Sequence, residues 1–403
     1  MTTLSHRIRL EPNNVQRTWL LRAAGTARFA FNLGLARWRE LYAASEKPSW
    51  QKINAELNAR KADEFPWMTE LPWRVVNGAL EDLGRAFTNF FRRVKSGARK
   101  KGYPRFKSKK RSKPSFCIEG RALVFDGRRV RVPKLGWIRL SEPLRFPGKV
   151  LSARFTERAG RWYVSVQVEI DDSRWSYPHR CENQAAVVGV DLGLVDLAVL
   201  STGERVPAPR VLRRHEIKLR RLGKKLSRQT KGGRNRQKTK LKLARLHERV
   251  ANIRRDVTHK LTARLVREFR WIGIEDLNVQ GMAANRCLAK SVMDAAMGEV
   301  GRQLDYKAPL AGSTVVRADR WYASSKTCSA CGVVYDDLSL DERRWTCDAC
   351  GTEHDRDDNA SKNLKRMAEA HSATARCPGS AGAGRETGTK LPVGREAGIR
   401  VFT

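Results

Sequence analysis

The sequence predicts an α+β multidomain chain: β-strands with a block of helices inserted among them, then an α/β domain that carries a cysteine-rich segment. Three observations predict it. Apolar residues recur at helical spacing through the first hundred positions. Between residues 118 and 170 the period changes to alternation. Beyond residue 185, apolar strands are interleaved with basic helices, and two C-x-x-C pairs follow. A length of 403 residues leaves room for about two to four domains.

The elements follow in order. Thr3 to Leu10 reads as a short strand through Leu4, Ile8 and Leu10. Phe31, Leu35, Trp38 and Tyr42 line one helix face, and Val76, Leu80, Leu83, Phe87 and Phe91 line another. Both stripes read as core. Their polar faces carry Arg22, Arg37, Arg39, Arg85 and Arg92, cations suited to a nucleic-acid backbone. Residues 92–114 form a basic run with Tyr103 and Phe106 interleaved, read here as a phosphate-contacting connector rather than a solvated linker.

Asp126-Gly127 between apolar stretches signals a hairpin. RFTERAGRWYVSVQVEI then alternates strictly up to Ile170. This β-rich module reads as a small barrel, which the N-terminal strand would join, making the helices an insertion. Trp73, Trp137 and Trp162 read as core rather than as base-stacking residues. AAVVGVDLGLVDLAVLSTG is a strand, a Gly-containing turn and a second strand. Basic helices follow at about 213–230 and 238–269, the second with Leu243, Leu246, Val250, Ile253, Val257, Leu261 and Leu265 at helical spacing. RWIGIEDLNVQGM is an apolar strand ending in acids. The cysteine segment occupies 321–353 and a helix about 359–370. The stretch from His371 to Thr403 has no period and reads as disordered.

Lys and Arg number 80 against 42 Asp and Glu, a net charge of +38. Such an excess calls for a polyanionic partner, nucleic acid before a membrane surface, and argues against an ordinary metabolic enzyme. The N-terminus lacks the apolar core of a secretory signal, and no run of about 18 apolar residues occurs, so a cytoplasmic, nucleoid-associated protein without a membrane partner is expected. Cys117, Cys181, Cys287 and Cys377 are scattered, unlike a disulfide framework.

Cys328 and Cys331 are followed, after fifteen intervening residues, by Cys347 and Cys350, and each pair is followed by a glycine. Two thiolates that close together converge across a tight turn, and four complete the tetrahedral shell Zn²⁺ prefers. A closed shell leaves no open position, so this Zn²⁺ would be structural. His354 and His371 would face solvent or lie behind the full shell.

Chemistry is expected from carboxylates instead. Asp191 lies on an apolar strand, Glu275 with Asp276 ends another, and Asp355, Asp357 and Asp358 sit where a loop meets a helix. A half-buried carboxylate on a strand is costly unless it meets a cation. Strand-Asp, hairpin, helices, strand-Glu, then Asp at a helix start is the acid order of an RNase H-like (RuvC-like) nuclease. Such acids hold two Mg²⁺ ions about 4 Å apart.

VGVDLGL, GIEDLNVQGM, SSKTCSACG…CDACG and HDRDDNASKNL, in this order, resemble the TnpB proteins of bacterial insertion sequences, relatives of type V CRISPR effectors. LRAAGTARFAFNLGLARWRE and GYPRFKSKK extend the resemblance over nearly the whole chain to about residue 370. The resemblance implies an RNA-guided, Mg²⁺-dependent endonuclease that cuts double-stranded DNA beside a short flanking motif, guided by an RNA from the element's end. It implies a wedge β-barrel over 1–15 and 106–182, a helical recognition domain over 16–105, a RuvC-like nuclease domain over 183–320 and 354–370, and an embedded zinc ribbon over 321–353. The tail would then be 371–403. Carried over position by position, the catalytic acids that hold magnesium are Asp191, Glu275 and Asp357, with Asp355 and Asp358 as rivals for the third place. The zinc ligands are Cys328, Cys331, Cys347 and Cys350. A monomer is favoured. Besides a zinc-ribbon transcription factor, which explains the charge and the cysteines but not the strand carboxylates, two other readings compete. One is a transposase with an RNase H-like centre, against which no separate helix-turn-helix module is discernible. The other is a nuclease-dead RNA-guided repressor, against which all three acids are present.

Overall fold

The computed structural model describes residues 2–171, 177, 181, 183, 185–335, 337–339 and 342–376. The described residues up to Asp171 form one compact unit and those from Tyr177 onward a second.

In the first unit, β1 (Thr2–Glu11) is followed by α1 (Asn14–Ala43), α2 (Trp50–Glu64) and α3 (Trp73–Lys95). Six more strands follow: β2 (Ser115–Glu119), β3 (Val124–Asp126), β4 (Arg129–Val132), β5 (Gly136–Leu140), β6 (Lys149–Arg158) and β7 (Arg161–Ile170). Asn13 caps α1 in a reciprocal capping box with Gln16. The strands form one antiparallel sheet in the order β2-β6-β7-β1-β5-β4-β3, with β1 paired to β7 from Thr2↔Ile170 to Leu10↔Trp162. The N-terminal strand therefore does join the later strands, and α1–α3 stand between them in sequence. The sheet begins at β2 and ends at β3, which do not pair, so its hydrogen bonds do not close the expected barrel.

Trp162 is 1% exposed and belongs to the core, but Trp137 is 39% exposed, with the Arg129 guanidinium 5.1 Å from its ring, so the core reading fails there. Phe91 and Tyr42, at the ends of their stripes, are likewise exposed. The arginine faces are also less free than expected. Arg22 pairs with Glu70, Arg37 with Glu56, Arg85 with Asp82 and Arg92 with Asn89, while Arg39 lies over Tyr103 and Phe106.

The second unit is built on a five-stranded sheet. Its strands are β8 (Val187–Asp191), β9 (Asp196–Leu200), β10 (Arg205–Pro207), β11 (Trp271–Ile274) and β12 (Thr314–Arg317), in the order β10-β9-β8-β11-β12. β8, β11 and β12 run parallel, whereas β9 is antiparallel to both β8 and β10. Helices α4 (Val211–Arg228) and α5 (Arg234–Glu268) connect β10 to β11. α6 (Val279–Ala284), α7 (Ala289–Ala295) and α8 (Met297–Ala311) connect β11 to β12. A two-stranded ribbon, β13 (Arg344–Thr346) and β14 (Glu353–Asp355), leads into α9 (Arg356–Arg376). α9 runs past residue 370, so the first residues of the expected disordered tail are helical; residues 377–403 lie outside the described residues.

The two faces of the central strands differ. Val188, Val190, Ile272 and Ile274 join Leu261, Leu265, Val300 and Leu304 of α5 and α8 in one buried core. Side chains alternate along a strand, so Gly189 and Gly273, which are register partners, point to the other face. There α9 crosses. A Cβ on Gly189 would come within 1.9 Å of the Ser361 carbonyl oxygen, and one on Gly273 within 2.3 Å of the Leu364 oxygen. Among the described residues no helix is long and apolar enough to cross a membrane.

Because rigid backbone meets backbone here, Gly273→Ala cannot be absorbed by a rotamer change. We expect it to destabilise the second unit by about 1–3 kcal/mol, read as a lower thermal midpoint by circular dichroism. An unchanged midpoint would show that α9 lies further from the sheet.

Candidate functional site

The glycine pair fixes where the acids stand. Asp191 is two residues beyond Gly189, and Glu275 two beyond Gly273, so both carboxylates rise from the face that α9 covers, at adjacent strand ends. Asp357 lies in the first turn of α9, where the helix dipole favours an anion. The three predicted acids are thus near enough for the charges of Glu275 and Asp357 to act on Asp191, though their oxygens are not gathered as closely as the cysteine sulfurs. Burial first, then the charges of Glu275 and Asp357, push the Asp191 carboxyl up to about 8, with Arg356 and the Leu192 backbone N–H opposing. Asp357 draws the exposed Arg343 guanidinium to 3.1 Å, and Glu275 accepts a hydrogen bond from the Ser324 hydroxyl.

The rival acids are otherwise engaged. Asp355 Oδ1 accepts the backbone N–H groups of Asp357 and Asp358 at 3.1 and 3.2 Å, capping α9. Arg205 of β10 donates to Asp355 at 2.8 Å, lies 2.9 Å from Asp358, and approaches Asp196 at 3.6 Å. Burial alone would raise the Asp355 carboxyl, but Arg205 and the two N–H groups outweigh it and hold it below the ordinary range. Arg205 and the cap therefore occupy Asp355 and Asp358, and Asp357 is the acid of this segment whose charge reaches Asp191.

The four predicted cysteines also converge. Their sulfurs all lie within 4.8 Å of one another, with Cys328 and Cys350 at 3.7 Å and Cys331 and Cys347 at 3.6 Å. A tetrahedron with metal–sulfur bonds of about 2.3 Å has edges of about 3.8 Å, so the donor set fits one metal ion. The two turns are built alike. Cys328 N–H donates to Val333 O and Gly332 N–H to Cys328 O; Cys347 N–H donates to Thr352 O and Gly351 N–H to Cys347 O. Gly332 (φ 86°) and Gly351 (φ 69°) take the left-handed backbone that these turns require. His354 lies behind the cysteine shell, one of the two places expected for it: it is buried, with Nε2 3.1 Å from the Cys328 sulfur, under the Trp345 ring. His371 is exposed.

Sequence reading missed the residues that join the two centres. Asn359 Nδ2 donates to Thr327 O at 2.8 Å, and its Oδ1 accepts the Ser329 N–H at 2.8 Å. Asn363, one turn on, donates to Ser324 O at 2.8 Å and Thr327 O at 2.6 Å. Both side chains are buried. Their i,i+4 spacing on a predicted helix was a usable signal. Glycines inside apolar strands were another, marking close backbone approach. Nothing local betrays Arg205.

A carboxyl whose folded pKa is about 8, against an ordinary 3.8, binds an extra proton in the folded state between those values. Stability is therefore lost as pH rises through that window. Without divalent ions, Asp191→Asn should gain in thermal midpoint over the parent as pH goes from 4 to 9. Added Mg²⁺ should shrink the gain. A constant difference between the two midpoints across that range would contradict the burial and charge crowding described here.

Comparisons with known proteins agree on the class. Residues 165–286 match a family described as "Probable transposase" (OrfB, IS605), and residues 298–364 match "Cas12f1-like, TNB domain". Residues 1–47 match "Helix-turn-helix domain". In the structure this stretch holds β1 and the single long helix α1, with no second helix before Trp50. The chain is 37% identical over 373 residues to a Streptomyces pristinaespiralis protein named "Putative RNA-guided DNA endonuclease", covering 91% of this chain and 89% of that one. It is 32% identical to the Escherichia coli K12 protein "Putative RNA-guided DNA endonuclease InsQ", covering 92% of each. A solved structure of the mini-RNA-guided endonuclease CRISPR-Cas_phi3 aligns with a TM-score of 0.49 and 9% identity, over 91% of this chain and 92% of that one.

Proposed function

The chain belongs to the TnpB (OrfB, IS605-type) family of insertion-sequence proteins, and from that premise we propose that it is an RNA-guided DNA endonuclease with a RuvC-like, metal-dependent centre. Asp191, Glu275 and Asp357 hold the catalytic Mg²⁺, and a guide RNA pairs with one strand of double-stranded target DNA. The observation that carries the reading is the placing of three carboxylates from three separate segments so that burial, and then the charges of Glu275 and Asp357, push Asp191 up to about 8 in a chain of net charge +38. Such crowding is relieved by a divalent cation bound to hard oxygen ligands. The order β10-β9-β8-β11-β12, with one antiparallel pair beside each of β8 and β10, supports an RNase H-like domain.

The chain's own residues have distinct tasks. Asp191 and Glu275, on adjacent parallel strands, present fixed oxygens, and Asp357 comes to them on α9. Ser324 orients Glu275, while Arg205 restrains Asp355 and Asp358 so that α9 begins where it does. Bound divalent ions supply activation of a water and stabilisation of the leaving 3′ oxygen. Basic side chains hold the phosphate backbone without reading bases, and base pairing with the guide chooses the sequence. The four cysteines hold a structural Zn²⁺ with no open position for chemistry. They keep the Ser324–Thr327 segment against α9.

Two experiments test this. Protein purified alongside its own downstream element DNA should carry one discrete RNA running from the element's end into flanking sequence, and should cut a matching plasmid. Asp191→Ala should lose cleavage while keeping the RNA and target binding; a variant that still cuts would remove Asp191 from the centre. For the ribbon, metal analysis should find one zinc per chain. Cys347→Ser should lose it, with a lower thermal midpoint. Full zinc retention in that variant would overturn the assignment.

A further inference from the structure

Trp321 is 87% exposed. An indole left in water forgoes one of the largest burials any side chain can make, so its position needs a reason. It stands on the loop that leaves β12, directly beside the acids. Ala318 N–H donates to Ile274 O at 2.8 Å, tying the loop's start to the end of β11 just before Glu275. Arg320 reaches Asp276 at 3.4 Å. Ser324, three residues beyond Trp321, donates to Glu275. Asp319 holds the tip: its carboxylate accepts the Trp321 N–H at 2.9 Å, and its carbonyl accepts the Tyr322 N–H at 3.0 Å. Tyr322 is also partly exposed, at 38%.

The backbone at Trp321 is therefore pinned while its ring is not covered. Three residues of chain reach at most about 10 Å, about three nucleotide steps at a rise of roughly 3.4 Å. Arg317 and Arg320 are paired with Asp305 and Asp276, so the loop is not itself a cationic patch, but the chain's net charge of +38 suits a polyanion better than an apolar protein surface.

We propose that Trp321 is a stacking platform for a base of the DNA strand being cut, within about three nucleotides of the scissile phosphate. A fixed aromatic face accepts any base, as a guided nuclease requires of a residue that must not read sequence. It would hold the strand in register with Asp191, Glu275 and Asp357. The inference rests on the reading of those acids as the nuclease centre.

The test is a coupling measurement on the guide-loaded complex, after the wild-type cut positions have been mapped. Trp321→Ala should slow cleavage about tenfold or more, with target binding, zinc content and thermal midpoint unchanged, and Trp321→Phe should restore most of the rate. A single abasic nucleotide at one of the three positions beside the cut should slow the wild-type complex to a similar degree and add nothing in Trp321→Ala. Additive effects would overturn the stacking role. So would an unchanged rate in Trp321→Ala, or coupling to abasic sites in the guide RNA instead of the cut DNA strand. A wild-type complex that fails to cut at all would instead bring down the nuclease reading itself.

Discussion

Everything in the second unit depends on how closely one helix lies on two strands. Gly189 and Gly273 are register partners on β8 and β11, and α9 crosses them backbone against backbone. Any side chain larger than hydrogen at either position would lift the helix. That contact sets the height of Asp357 above the sheet, and the twofold alternation of strands then brings Asp191 and Glu275 up on the same side. The residues two before each strand acid are thus part of how the centre is built, though they carry no chemistry.

Crowding carboxylates at a strand edge is unfavourable, and the molecule divides its acids to limit it. Arg205 gathers Asp355 and Asp358, and Asp355 is further used as the cap of α9. Asp357 is left to Arg343, and burial first, then the charges of Glu275 and Asp357, raise the Asp191 carboxyl. These acids stand in a chain with 80 basic residues.

The cysteine cluster and the acid cluster are one construction rather than two neighbours. Asn359 and Asn363 on α9 hold the carbonyls and one N–H of the segment that enters the first cysteine turn, and Ser324 of that same segment bonds Glu275. That segment also carries Trp321.

Much was legible in sequence because it obeys local rules. The helical and alternating periods located the main helices and strands. Asp126-Gly127 marked its hairpin, and the cysteine spacing with its glycines identified the metal turns, since a C-x-x-C turn is closed within six residues. The three candidate acids were picked out by type and order, and the family resemblance followed from the same motifs. What the sequence could not decide was every choice made between distant segments. Trp137 and Trp162 look alike on paper, yet only the sheet's packing decides that one is exposed and the other buried. The open order of the first sheet depends on which strands pair, and pairing is set by long-range register. Asp355, Asp357 and Asp358 are equivalent by local pattern; Arg205, some 150 residues earlier, separates them. Local chemistry names the candidate groups, but only tertiary contacts assign each charge its partner, because Coulomb energies depend on distance and burial in space rather than on position along the chain.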